Sequence, residues 1–292
     1  MKITLTTIFL LFLIMAQAQE ADTTKHWKAG TDGSVTFSQV SLTNWAAGGE
    51  DSYSANGLFN FFANYKKDKS SWENGLTIGY GFIKVIDDNL KKSTDQIDFQ
   101  SKYGKNISKY WSYSALINFK TQFTEGYHYP DEGPRTVISD FMSPAYIIAS
   151  IGMDHKPVEN FSFFISPATG KTTVVIDEDL SDAGAFGVEP GDNILSEYGG
   201  FVKVEYSEEV LKNINLKTKL DLFSAYNNNP ENIDVDWEMV LNMEINKYIS
   251  ANLQTRLLYD HDTKIEQNDG TMAPMVQFKE VFGAGISYRF PE

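Results

Sequence analysis

Two kinds of residue in this chain have types and spacing that could do chemistry. The first is a set of charges of both signs, many of them two positions apart: Lys203 and Glu205; Lys217, Lys219 and Asp221; Asp236 and Glu238, with Glu244 further along. Asp98, Lys102, Lys120, Arg256 and Lys279 share the same alternating settings, as do the amides Gln96, Gln100, Asn118, Gln122, Asn215, Asn242, Asn252 and Gln254. Residues two apart lie on one face of a strand. Wrapped around an interior, such a face either lines a selective passage or neutralises itself in ion pairs.

The second kind is a few short motifs. Ser166-Pro167-Ala168-Thr169-Gly170-Lys171-Thr172 ends like a phosphate-binding loop, but Ile165 stands where that motif needs its first glycine. The motif also needs a following helix whose N-terminus faces the phosphate. Here Thr173-Val174-Val175-Ile176 continues as strand, so Pro167 and Gly170 instead point to a bulge or kink. His26, His128, His155 and His261 are not at metal-ligand spacing with one another, and Asp260-His261-Asp262 reads as a loop edge. No Gly-x-Ser-x-Gly elbow is present, and no expected outward face pairs Ser with His as a lipid-modifying barrel enzyme would require. With no Cys, disulfides, thiolate metal sites and cysteine nucleophiles are excluded. The expectation is a non-enzyme with no cofactor and no metal.

The elements that must position these residues are strands. Past Trp27 almost every segment alternates apolar and polar residues with period two, the signature of a strand with two unlike faces. Trp111-Tyr113-Ala115-Ile117-Phe119-Thr121-Phe123 alternates with polar residues such as Asn118 and Lys120, and Val235-Trp237-Met239-Leu241-Met243-Ile245 with Asp236, Glu238 and Asn242. Strands are expected near 31–41, 51–65, 71–84, 94–105, 110–124, 144–155, 160–176, 196–207, 213–226, 233–246, 249–260 and 275–290. Connections alternate between long (42–50, 85–93, 125–143, 177–195, 227–232, 261–274) and short. Many strands exceed ten residues, where soluble strands average about five or six and a tilted bilayer-crossing strand needs about nine to eleven.

Twelve antiparallel strands with short turns at one end and long loops at the other describe a transmembrane β-barrel, turns in the periplasm and loops outside. The fold class is therefore all-β, a single antiparallel barrel over 31–290. Aromatic residues fall into two girdles, with Tyr65, Trp72, Tyr103, Trp111, Phe161, Tyr206, Tyr288 and Phe290 at the periplasmic ends and Tyr53, Phe82, Phe123, Trp237, Tyr259 and Phe278 near the other rim. A secreted β-sandwich would have shorter strands and no such girdles. Lys2, the apolar run Ile3–Met15 and the small-x-small Ala16-Gln17-Ala18 form a signal peptide over 1–18, followed by a polar lead over 19–30. The run is too short for a membrane-spanning helix.

The chain has 292 residues and carries 25 basic against 39 acidic side chains, a net charge of −14. That balance argues against nucleic acid, which draws affinity from clustered Lys and Arg. Carboxylates Asp87, Asp88, Asp131, Glu132, Asp177, Glu178, Asp179, Asp182, Glu189 and Asp192 gather in expected outer loops and read as solvated loop faces.

Two stretches carry a resemblance. Asn44-Trp45-Ala46-Ala47-Gly48-Gly49-Glu50 in the first outer loop and Ser166-Pro167-Ala168-Thr169-Gly170-Lys171 in the seventh strand resemble a domain-of-unknown-function family of outer-membrane barrels from Bacteroidetes. The final Gly285-Ile286-Ser287-Tyr288-Arg289-Phe290 looks like the C-terminal aromatic signal, Tyr288 and Phe290, read by the barrel assembly machinery, although Pro291 and Glu292 follow it. The resemblance implies fold and location, in the bacterial outer membrane, and no activity. In the first motif, Gly48 and Gly49 suit a tight turn folding the loop over the mouth, with Trp45 packed beneath.

A small barrel is filled by its side chains, and about sixteen strands are needed for a wide channel. At twelve strands two outcomes stand: a narrow polar pore or binding site for a small polar solute, or a structural barrel closed by ion pairs such as Lys217 or Lys219 with Asp236 or Glu238, whose loops contact envelope or surface partners. An outer-membrane enzyme is a third reading. Outer-membrane lipid and, during biogenesis, the assembly machinery are the other expected partners.

Overall fold

A computed structural model describes residues 26–40, 51–85, 88–130, 133–227, 229–246, 248–266 and 271–289. The expected signal segment, most of the expected polar lead, Asn44, Trp45, Gly48, Gly49, Asp87, Asp131, Glu132 and Phe290 lie outside the described residues.

The period-two segments form long strands: β1 (Trp27–Val40), β2 (Ser52–Lys67), β3 (Ser70–Val85), β4 (Leu90–Asn106) and β5 (Trp111–Thr121). After a short hairpin of β6 (Gly126–His128) and β7 (Thr136–Ser139) come β8 (Ala145–His155), β9 (Phe161–Val174), β10 (Ile194–Leu211), β11 (Ile214–Ala225), β12 (Asp234–Glu244) and β13 (Ile249–Tyr259). A second small hairpin, β14 (Lys264–Glu266) and β15 (Met272–Pro274), precedes β16 (Gln277–Arg289). Each long strand pairs antiparallel with its chain neighbours, β5 with β8 and β13 with β16, and β1 pairs with both β2 and β16, so that twelve strands close a barrel. Tyr288 lies opposite Gly33 in the closing seam. No helix among the described residues is long and apolar enough to cross a membrane.

The twelve expected strands correspond one to one with these, but β1 begins at Trp27, inside the expected lead, β10 runs on to Leu211 through most of the expected turn 208–212, and one long connection is shortened. Of the segment 85–93, expected as a long loop, residues 90–93 are strand, since β4 begins at Leu90. The reason is a bulge: Gly81 faces Thr94 but Phe82 faces Lys92, leaving Ser93 over. The extra residue breaks the period of two at the point where the pattern is read. Long loops also hold structure of their own. Asp177 caps a short helix, Glu178–Asp182, by accepting from Leu180 N at 2.9 Å, and Leu180 packs with Val175 and Val188 in a small core.

The outer wall is the apolar one. Ile117 on β5, Ile151 on β8 and Phe282 on β16 are 54%, 71% and 64% exposed, whereas inward Asn118, Lys203 and Asp98 are buried. Apolar surface on this scale is foreign to a soluble monomer and is what lipid demands of a closed sheet that has satisfied its own backbone. At the short-turn end Trp27, Tyr65, Trp72 and Tyr103 stand side by side on β1 to β4, with ring centroids 5.2 Å apart for Trp27 and Tyr65. Tyr53 and Phe82 meet edge to face near the other rim. This is the architecture of an outer-membrane barrel.

Candidate functional site: the charged lumen

The inward face begins with a phase problem on β9. Up to the bulge its even residues point inward: Ser162, Phe164 and Ser166 are buried while Ile165 is exposed. Pro167 and Ala168 then form the expected bulge. Register slips between Gly199 and Phe201 on one side and between Ile151 and Met153 on the other. Beyond it the odd residues Thr169, Lys171 and Thr173 are the buried ones. Ser166 holds the bulge, its hydroxyl donating toward Ile151 O at 2.8 Å and accepting from Ala168 N at 3.2 Å and Thr169 Oγ1 at 2.9 Å. Gly152 lies against it, where an added Cβ would stand 2.1 Å from Ile165 O. The bulge thus turns Lys171 into the lumen.

Three clusters of charge stack along the barrel axis. At the long-loop end Lys171 Nζ lies 2.5 Å from Asp234, 3.3 Å from Asp260 and 3.4 Å from Glu197. Asp260 also accepts from the backbone N–H groups of Asp262 and Thr263, so the Asp260-His261-Asp262 segment is a loop edge with one carboxylate turned to the lumen.

The waist is bridged from wall to wall. Lys120 on β5 reaches Asp236 on β12 at 2.7 Å, Glu238 at 3.4 Å and Asp221 on β11 at 3.7 Å. Lys219 on β11 reaches Asp98 on β4 at 2.7 Å and Glu238 at 3.9 Å. Lys203 donates to both oxygens of Asp221 at 2.8 and 3.0 Å, and Arg256 to both oxygens of Asp236 at 2.8 and 2.9 Å. Asn118 donates to Asp98 at 2.6 Å. Four strands separate β5 from β12, and likewise β4 from β11, on the shorter way round the barrel. These bonds therefore cross the interior rather than follow the wall.

Nearer the short-turn end, Lys102 lies 3.3 Å from Asp154, 3.6 Å from Glu205 and 3.7 Å from Glu73, and donates to Ser162 at 2.9 Å. Lys156 joins Glu73, and Gln100 donates to Glu205 at 3.1 Å. Beside these pairs the β5 to β11 half of the lumen is filled by Leu116, Phe164, Phe201, Phe223 and Ala225. Lys203 lies 6.0 Å from the Phe201 ring centroid and Lys171 lies 5.4 Å from that of Phe223.

The other half is open. A cavity of about 570 Å³ runs along β1, β2, β12, β13 and β16 and reaches the short-turn end at Lys156, Glu159 and Asn160. Its wall carries Asn60, Gln96, Asn242 and Gln254 with Lys217, Glu244 and Lys279. Asn215, Asn242 and Asn252 stand in register across β11, β12 and β13. Of the expected pairs Lys219 with Glu238 forms, but Lys217 reaches neither Asp236 nor Glu238. Lys217 lies 3.8 Å from Asp32 on β1, and Lys120 and Arg256 hold Asp236 while Lys120 and Lys219 hold Glu238.

The residues expected as lining take part in these ion pairs or border the cavity, and beside them stand Asp32, Glu73, Asp154, Lys156, Glu197, Asp234 and Asp260, together with Lys171, which the sequence set apart only as part of a motif. Glu73 lies on the face of β3 opposite the exposed Trp72, and Asp154 on the face of β8 opposite the exposed Ile151, so parity alone could have found them. Lys171 could not be found that way, because the bulge shifts its phase.

Residues 37–127 match the family described as "Protein of unknown function (DUF3078)", a span that includes the Asn44 to Glu50 motif and not the one at 166–171. No curated protein matches the sequence. Among solved structures the chain is similar to the NanC porin, at 9% identity and a TM-score of 0.37 over 88% of this chain and 98% of that one. It is also similar to an outer-membrane channel from Pseudomonas putida F1, at 12% identity and a TM-score of 0.39 over 93% and 100%. A third is the translocator domain of the autotransporter NalP from Neisseria meningitidis, at 10% identity and a TM-score of 0.33 over 98% and 96%. The chain thus resembles a domain-of-unknown-function family over part of its length, and its barrel fold rests on its own strand pairing.

Proposed function

We propose that this protein holds a small polar solute in a vestibule open toward the short-turn end, with the waist of its lumen bridged by ion pairs, and that it does not act as a wide pore. The observation that carries the reading is the pair of cross-lumen bridges, Lys120 to Asp236 and Lys219 to Asp98, standing beside a polar cavity of about 570 Å³. Bridges of this kind hold the two walls together and leave room for water and a solute on one side only. The apolar outer wall and the aromatic girdles support location in the bacterial outer membrane, with the short turns in the periplasm. A Bacteroidetes source rests on the resemblance carried by the motifs at 44–50 and 166–171 alone. On this reading the signal segment directs export, the assembly machinery inserts the barrel by its C-terminal aromatic signal, and outer-membrane lipid is its standing partner.

Single-channel recording of the refolded protein in a planar bilayer tests this. The expected result is small, brief steps or silence from wild type and larger, steadier steps from Lys120→Met/Lys219→Met, which opens the waist. A large steady conductance in wild type, unchanged in the variant, overturns the reading.

A further inference from the structure

The charges that face each other across neighbouring strands of the waist are answered by the protein with one exception. Lys203 faces Asp221, Lys219 faces Glu238, Glu238 faces Arg256 and Asp98 faces Lys120. One acidic pair, Asp221 with Asp236, is also opposed, and Lys120 lies within 3.7 Å of both. The exception is basic: Arg256 on β13 and Lys279 on β16 stand directly opposite each other, an arrangement that repels. Arg256 is held by Asp236. Lys279 reaches only the Thr94 hydroxyl, at 3.2 Å, and has no carboxylate within 4.0 Å among the described residues. Both cations line the vestibule, together with the amides of Gln96, Gln254 and Asn60 and the hydroxyl of Thr77.

We infer that Lys279, beside Arg256, is the anion subsite of the vestibule, and that the solute is a small hydroxylated carboxylate whose acid group meets Lys279 while its hydroxyls meet the amide wall. The inference rests on the vestibule reading above and names its substrate class. A carboxylate at this point relieves the repulsion between the two cations and gains a charge-assisted hydrogen bond. The amides donate and accept, as a polyol requires.

Titration calorimetry of the full chain in detergent micelles, with sodium gluconate against the neutral sorbitol, tests it. Wild type should bind gluconate about tenfold or more tightly than sorbitol, the difference one hydrogen bond to a charged group makes. K279M and K279Q should both lose that preference while keeping sorbitol binding. E280Q, on the outward side of the same strand, should keep the preference. Two variants guard against a folding defect, which the loss of heat-modifiable gel mobility would reveal. Sorbitol binding without a preference for gluconate overturns the subsite and leaves the vestibule reading standing. Absence of binding by either solute overturns both. A preference retained in well-folded K279M and K279Q overturns the assignment to Lys279.

Discussion

Replacing Lys120 by Met tests whether the waist is held by buried ion pairs. The Lys120 side chain is 14% exposed and meets three carboxylates within 3.7 Å. Removing one partner of a buried pair costs about 3–5 kcal/mol, because the other charge is left uncompensated. Here each carboxylate keeps a second cation: Asp236 keeps Arg256, Asp221 keeps Lys203, and Glu238 keeps Lys219. The expected loss is therefore at the lower end, about 3 kcal/mol. Lys217→Met is the natural reference. That side chain is 55% exposed and 3.8 Å from Asp32, and screened pairs of this kind contribute about 1 kcal/mol or less. Reversible urea unfolding in lipid vesicles, followed by tryptophan fluorescence, reads the difference. With a slope of roughly 2 kcal/mol per molar urea, Lys120→Met should move the midpoint down by about 1.5 M and Lys217→Met by less than about 0.5 M. Equal shifts for the two variants, or a gain in stability for Lys120→Met, would refute the reasoning.

Two further substitutions probe the wall. Ile117→Lys places a charge on the lipid face of β5 and should cost about 2–4 kcal/mol, seen as a fall in folded yield on vesicles. Gln254→Lys, facing the vestibule, should fold nearly as wild type, and similar yields for the two would show the faces to be wrongly assigned. Ser166→Ala removes the hydroxyl on which the β9 bulge converges and should cost about 1–3 kcal/mol, the cost of leaving buried polar partners unmet. An unchanged urea midpoint would mean that the bulge is held by something other than Ser166.

Local periodicity is why so much of the barrel can be read from the chain. Each strand's two faces meet lipid and lumen, so the alternation from Trp111 to Phe123 carries both the strand and its orientation. What periodicity leaves out is partnership across the interior. Nothing local joins Lys120 to Asp236 or Asp98 to Lys219, because each pair is 116 or 121 residues apart and meets only once the sheet has closed. The apolar filling is hidden for a related reason. Leu116, Phe164 and Phe201 sit on faces that are otherwise polar, and they point inward because that half of the lumen is packed rather than wet. The bulges at Ser93 and Pro167 each shift the phase by one residue, which moved the apparent start of β4 and left Lys171 off the expected face.

The order of charge along the lumen decides by which end an anion reaches Lys279. At the long-loop end one cation, Lys171, faces Glu197, Asp234 and Asp260, a surplus of negative charge lying beneath acidic loops. At the short-turn end the charge is mixed: Lys156, the largely exposed Lys217 and then Lys219 alternate with Asp32, Glu73, Glu159, Glu205 and Glu244. Low-dielectric walls strengthen these fields relative to open water, so an anion is repelled from the loops and enters at the turns, where Lys217 and Lys219 lie along its path. Charges at a rim act mainly on association rate. Lys217→Met should therefore slow gluconate association severalfold at low salt, and the difference should shrink as added salt shortens the Debye length toward about 8 Å. Asp234→Asn at the far end should leave that rate unchanged within about twofold. Stopped-flow measurement on both variants separates the two ends, and a faster association in Asp234→Asn with none of the loss in Lys217→Met would show that the solute arrives through the loops.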